Sequence, residues 1–254
     1  MSQGLRTVVY DYLSEKLLTG ELHAGKRVCE LTVAKATGVS RSPVREAIGQ
    51  LRAEGVLEQI PGYGAFVKSP TRRELDEAFQ VREWLECEAV FALASMPERP
   101  ELTEARSACD AMLEMLKGSH EGTDAVLSES AYDQLEQIDR TFHTALLRAA
   151  GNRRVTKVIH DTRLLIHATQ CRPRPLTTEH LSKIFADHDL VLRSVQRGAP
   201  EEAREQMLGH IRWAHAETLR VYDVLAKQAE EDELPTNVAK RHVNRNPVGR
   251  SSLK

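Results

Sequence analysis

Asp139, His143, His188 and His210 belong to the residue types that ligate divalent cations, and their spacing suits that task. A residue advances about 100° around an α-helix, so Asp139 and His143 share one side of a helix, beside Leu135, Leu146 and Leu147. His188 falls inside the apolar stripe Leu181, Ile184, Val191, Leu192, Val195. His210 falls inside the stripe Ala203, Met207, Ile211, Ala214, Val221, Leu225. Four polar groups on three helices therefore point inward, and burying them is costly unless each finds a partner. A divalent cation would satisfy all four, since it takes neutral imidazoles and a carboxylate as ligands. The alternative is four ordinary core residues, each with its own hydrogen bond. Zinc is the expected ion and nickel or manganese are compatible, since ligand type alone does not separate the three. Positions not filled by these four ligands could hold water or a ligand carboxylate. A metal-bound water can act as a nucleophile, but no general base is placed beside it, so no catalytic residue is expected.

Three further groups have chemistry in their placement. Arg82 lies within the stripe Leu75, Ala78, Phe79, Leu85, Ala89, where a guanidinium needs an anion. That anion is either Glu86, one turn on, or the carboxylate of a small effector. Arg41 and Arg45 are four apart on one helical face, and their donor forks match phosphate and guanine acceptors. Ser40 and Ser42 stand at the start of that helix, where free N–H groups favour phosphate. The bland alternative is a solvated face with the arginines paired to Glu46 or Glu54. Gly62, Tyr63 and Gly64 form a tight turn that can approach a sugar-phosphate backbone.

These residues need elements to hold them. The pattern predicts a helix over 5–19, a short helix over 30–36, and a helix over about 41–54 capped by Ser40, with Pro43 in its first turn. Extended runs Val56–Ile60 and Ala65–Lys68 follow, joined by Pro61-Gly62-Tyr63-Gly64 as a hairpin. Val44, Ala47, Ile48 and Leu51 form the buried side of the third helix. This order describes a winged helix-turn-helix, which sets its third helix in the DNA major groove. After the linker Ser69-Pro70-Thr71, only helices are predicted, over about 71–96, 101–118, 123–149, 153–171, 179–197 and 200–228, forming an antiparallel bundle. The expected fold is mainly α, with three parts: a DNA-binding domain over 1–69, a helical metal, effector and dimerisation domain over 70–230, and a disordered tail over 231–254. The remaining histidines (His23, His120, His160, His167, His180, His215 and His242) carry no such pattern. His160 and His167 lie off the Val155/Ile159/Ile166 stripe and are expected at the surface.

Composition agrees with this division. Hydrophobic residues make up 41%, charged residues 28% and aromatics 5%, which favours helices. Residues 1–70 hold 9 Lys/Arg against 7 Asp/Glu, while residues 71–230 hold 21 against 27, so a mildly basic head precedes an acidic body. No apolar run approaches the roughly 20 residues of a membrane span, and the N-terminal stretch lacks the apolar core of a signal peptide. The scattered cysteines Cys29, Cys87, Cys109 and Cys171 form no C-x-x-C pair, which points to a reducing cytoplasm.

The run GVSRSPVREAI at 38–48, followed by LRAEGVLEQIPGYGAFV, resembles the DNA-binding domain of GntR-family transcription regulators. The remainder resembles the FCD ligand-binding domain of the FadR subfamily, through D-x-x-F-H at Asp139–His143, A-D-H-D-L around His188 and M-L-G-H-I around His210. The sequence departs from the family at Leu31, where many members carry Arg, at Tyr63, where the wing is often basic, and in its basic tail. The resemblance implies that Asp139, His143, His188 and His210 bind a divalent metal and that an Arg near position 82 contacts the effector. It further implies a homodimer whose two heads bind an inverted repeat in double-stranded DNA. In this family the regulator is more often a repressor, and here a small organic acid would release it. The rival readings are a helical metallohydrolase with a fused DNA-binding head, and a DNA-binding dimer with no effector.

Overall fold

The computed structural model describes residues 2–98, 100–118, 125–168 and 176–233. Helices α1 (Ser2–Leu18), α2 (Glu30–Thr37) and α3 (Arg41–Ala53) form the head together with strands β1 (Arg27–Val28), β2 (Leu57–Ile60) and β3 (Gly64–Val67). The strands pair antiparallel in the order β1-β3-β2, with Ile60 opposite Gly64 at the wing and Val28 opposite Ala65. Strand β1 is an addition to the sequence expectation, because a two-residue strand has no periodicity to read. The wing turn closes with Tyr63 N–H donating to the Ile60 carbonyl at 3.0 Å. Gly62 and Gly64 sit at φ 79° and 105°, left-handed values at which a side chain would be strained.

Amphipathic helices pack over this sheet. Val9, Leu13, Leu17, Val44, Ala47, Leu51, Val56 and Val67 are buried in one cluster. Leu164, from well beyond the head in sequence, belongs to the same cluster. Leu51→Ala is expected to cost about 2–5 kcal/mol, because it opens a cavity in a close-packed core. A urea midpoint shift in the full chain measures this, and a cost under about 1 kcal/mol would show that the site collapses.

The body consists of α4 (Arg72–Ala94), α5 (Thr103–Gly118), α6 (Glu129–Ala149), α7 (Arg153–Ala168), α8 (Thr178–Arg197) and α9 (Pro200–Glu233). The described residues divide into two compact units, and the boundary falls within α9, between His215 and Ala216. Thr71 caps α4 through a reciprocal box: its Oγ1 accepts from Glu74 N–H at 3.2 Å, and its own N–H donates to Glu74 Oε2 at 2.9 Å.

Three expectations need correction. The helix predicted from 123 starts at Glu129, because Ser128 caps it. Before it, Val126 bridges Thr177, and Leu127 N–H donates to the Leu176 carbonyl at 2.8 Å. The α4 stripe is rotated: Arg82, Glu86, Cys87, Val90 and Leu93 are buried, whereas Leu85 and Ala89 are only half-buried. Arg82 and Glu86 tolerate that face because they neutralise one another. Finally, Ser40 occupies the N-cap of α3 but makes no side-chain cap bond. The expected tail beyond Glu233, the end of the seventh helix past Ala168, and Cys171, His120 and His242 lie outside the described residues.

Candidate metal centre and nucleic-acid interface

Asp139 and His143 project from one face of α6, His188 from α8 and His210 from α9. One ligating atom from each lies within 4.8 Å of all the others. His210 Nε2 is 3.2 Å from His143 Nε2 and 3.3 Å from His188 Nε2. Asp139 Oδ1 lies 3.6 Å from His143 Nε2 and 3.4 Å from His188 Nε2. The three histidines are buried, and the Asp139 side chain is 20% exposed. The sequence expectation of an inward-facing convergence is met for all four.

Surrounding groups set the state of each ligand. His143 Nδ1 is 2.5 Å from Glu86 Oε2, so donating its proton there leaves a lone pair on Nε2. Asp187 Oδ2 lies 3.5 Å from His210 Nδ1, at the limit of hydrogen bonding. The His188 ring stacks on Phe142 with centroids 3.9 Å apart, and its buried Nδ1 has no hydrogen-bond partner. Burial pushes the His188 imidazolium down to about 3 and lowers that of His210, so both rings are neutral at neutral pH. Burial alone would raise the Asp139 carboxyl, but the Arg163 charge and the neighbouring imidazoles hold it well below the usual range. Arg163 Nη2 donates to Asp139 Oδ2 at 2.7 Å and leaves Oδ1 for the cluster. Neutral imidazole nitrogens and an ionised carboxylate packed this closely, with buried polar atoms unmatched, fit a divalent cation.

Arg82 finds the nearer of its two expected partners. Its Nε donates to Glu86 Oε1 at 2.6 Å, and both side chains are buried. Glu86 thus spends one oxygen on Arg82 and the other on His143. Burial would raise the Glu86 carboxyl, but Arg82 and His143 overcome it and hold it well below its ordinary value. Arg82 Nη2 has no acceptor, nor do Arg163 Nε and Nη1.

Sequence reasoning left Glu86 as a mere neighbour of Arg82 and passed over Arg163. Arg163 had a signal, since it falls at helical spacing between the buried Ile159 and Ile166. His167, expected at the surface, is buried, with Nδ1 3.4 Å from Glu136 Oε2. His160 is half-buried beside Tyr10, at 6.5 Å between ring centroids. The reasons differ: Tyr10 of the head covers His160, whereas His167 is buried within the bundle beside Glu136 of α6, so a single stripe does not delimit the buried face of α7.

Burial, reinforced by Arg163, pushes the His167 imidazolium down to about 3. The unfolded chain takes up this proton near 6.5 and the folded chain only near 3, so stability is full above about pH 6.5 and falls as pH drops through that window. The loss is expected to be on the order of 3 kcal/mol. Urea unfolding at pH 7 and pH 4 reads it, and His167→Gln should flatten the dependence. An unchanged slope in the variant would refute it.

On the head, Arg41 and Arg45 lie on one exposed face of α3, with side chains 60% and 63% exposed. Both rest on Glu30 Oε2, at 3.3 and 2.9 Å, and not on Glu46 or Glu54 as the bland reading supposed. Glu46 instead accepts from Ser42 Oγ at 3.4 Å, while Glu54 accepts from Tyr10 and Gln50. Val44, Ala47, Ile48 and Leu51 are buried as expected. Tyr63 stands exposed at the wing tip between Gly62 and Gly64.

Residues 5–67 match the family described as bacterial regulatory proteins, gntR family, and residues 77–212 match the FCD domain. This chain belongs to the GntR family. It is a DNA-binding transcription regulator with an FCD domain, a domain that binds small-molecule effectors. The GntR chain is 28% identical over 202 residues to an uncharacterized HTH-type transcriptional regulator, YdhC, of Bacillus subtilis, covering 79% of this chain and 85% of that one. It is 27% identical over 208 residues to a probable D-xylose utilization operon transcriptional repressor of Paenarthrobacter nicotinovorans, covering 80% and 84%. In fold it is similar to the solved structure of E. coli McbR/YncC, with a TM-score of 0.72, 20% identity, and coverage of 86% of this chain and 98% of that one. No helix among the described residues is long and apolar enough to cross a membrane.

Proposed function

We propose that this GntR regulator is a homodimeric, metal-containing repressor released from an inverted-repeat operator by a small organic acid. Residues 1–69 would bind DNA and residues 70–230 would bind metal and effector and dimerise; the site of action would be cytoplasmic. The observation that carries the reading is the close packing of four ligating atoms from three helices, each backed by a neighbouring group or by stacking. Asp139, His143, His188 and His210 would hold the ion, zinc foremost, with nickel or manganese compatible. When bound, the ion supplies positive charge and room for further oxygen ligands. The unmatched Nη2 of Arg82 offers a donor for a carboxylate beside it. Arg41 and Arg45, with Ser40, Ser42 and the wing residues Gly62, Tyr63 and Gly64, would meet DNA. The relative named as a repressor supports the direction of regulation.

An effector can shift DNA binding only by favouring one arrangement of the heads. Titrating small carboxylic acids into a protein–operator complex tests this. At least one acid is expected to weaken binding about tenfold or more. Tighter binding throughout would reverse the sign. No response to any acid in the wild type, with metal content unchanged in Asp139→Ala and His210→Ala, would favour a dimer with no effector.

A further inference from the structure

A cavity of about 430 Å³ lies between α1 of the head and helices α6 and α7 of the bundle, with Gln50 near the end of α3 also in its wall. Such a volume suits a small ligand. Six cationic side chains line it: Arg6, Arg140, Arg148, Arg153, Lys157 and Arg163. Two carboxylates, Asp11 and Asp161, oppose them. Neighbours neutralise some of this charge. Lys157 Nζ is 2.6 Å from Asp161 Oδ2, and Arg163 is bound to Asp139. Arg140 and Arg148 reach Glu15 and Glu104 only at 3.7 Å. Arg6 and Arg153 have no acidic partner among the described residues. Arg163 is itself 6% exposed, and two of its buried nitrogens have no acceptor. A cavity with surplus positive charge and a desolvated guanidinium in its wall is suited to an anion, because charge-assisted bonds strengthen away from water.

We propose that this cavity, which borders the metal cluster through His143 and does not include Arg82, binds a small polyanion bearing phosphate or several carboxylates on its arginines. The groups that hold it come from both sides, Arg6 from the head and Arg140, Arg148, Arg153 and Arg163 from the bundle. The bound anion therefore fastens head to bundle. A polar cluster already joins the two at this place. Tyr10 Oη donates to Glu54 Oε2 at 2.8 Å and lies 3.2 Å from Asp161 Oδ1, and Lys157 Nζ reaches Glu54 Oε1 at 3.4 Å. Glu54 is the C-cap of α3, the helix that carries Arg41 and Arg45. An occupant of the cavity thus biases the position of the DNA-reading helix from its far end.

The test is calorimetric titration of the full chain with inorganic phosphate and, separately, with succinate, before and after removal of metal. Saturable binding of at least one probe is expected in both states, and which probe binds distinguishes a phosphate ligand from a carboxylate one. Arg6→Ala and Arg153→Ala are each expected to weaken it about tenfold, and Lys at either position should restore part of the loss. Bound probe should also slow amide exchange in α1. No saturable binding of either probe up to about 10 mM, binding indifferent to both substitutions, or binding abolished by metal removal would each overturn the proposal. Unchanged exchange in α1 would overturn the fastening of head to bundle.

Discussion

His188→Ala is expected to leave the purified protein without its divalent ion. The wild-type chain, prepared without chelator, should carry about one ion per chain, and the variant should bind it at least about 100-fold more weakly. The expectation rests on position. His188 is fully buried, its Nε2 lies 3.3 Å from His210 Nε2 and 3.4 Å from Asp139 Oδ1, and Phe142 stacks on its ring. Burial holds it neutral, so the nitrogen is ready to ligate with no proton to displace. Removing the imidazole leaves a cavity that water can enter but two nitrogens and one carboxylate to hold the ion. Glu86→Gln provides the graded control. It keeps a hydrogen-bond acceptor for His143 but removes the charge, and should weaken metal binding about 10- to 100-fold. Elemental analysis and a chelator competition read both variants. If wild type and His188→Ala carry the same metal, or neither carries any, the four residues are not a metal centre and the polar-core alternative stands.

Arg45→Ala is expected to weaken operator binding by about 1–3 kcal/mol, roughly tenfold to a hundredfold. In the free protein Arg45 Nε sits 2.9 Å from Glu30 Oε2, and Arg41 shares the same oxygen. At the proposed interface, DNA would compete with Glu30 for both guanidiniums. The alanine variant loses one donor fork and leaves Glu30 half-neutralised on the face proposed to meet phosphate, so repulsion would add to the lost contact. Anisotropy titration against operator and scrambled DNA at several salt concentrations separates the modes of contact. A loss confined to the operator indicates a base contact. A uniform loss with a salt slope shallower by about one indicates a phosphate. Unchanged affinity for both DNAs would remove the α3 face from the interface.

The elements were largely legible, because each is an amphipathic segment with a local stop signal. Gly38 ends α2 and Gly198 ends α8, while Thr71 and Ser128 start α4 and α6. The candidate site was legible for a similar reason. His188 and His210 break apolar stripes, and a polar residue in such a stripe must be satisfied somewhere. Errors clustered where a residue's environment is set from far along the chain. His167 cannot be placed from its own helix, because α6 of the bundle, through Glu136, packs over it. Glu46 and Glu54 are nearer in sequence to Arg41 and Arg45, yet their partner, Glu30, lies on α2.

By itself the sequence determined the order of helices and strands, the division into a winged head and a helical body, and the inward direction of Asp139, His143, His188 and His210. All of these follow from periodicity over one or two turns, where neighbours in sequence are neighbours in space. Only the tertiary structure decided that Glu86 joins Arg82 to His143 across 57 residues, that Arg163 orients Asp139 across 24, and that Leu164 of the bundle completes the core of the head. Such pairings depend on how helices pack against one another. A carboxylate four residues away and one far along the chain compete for the same guanidinium, and only packing distance selects between them.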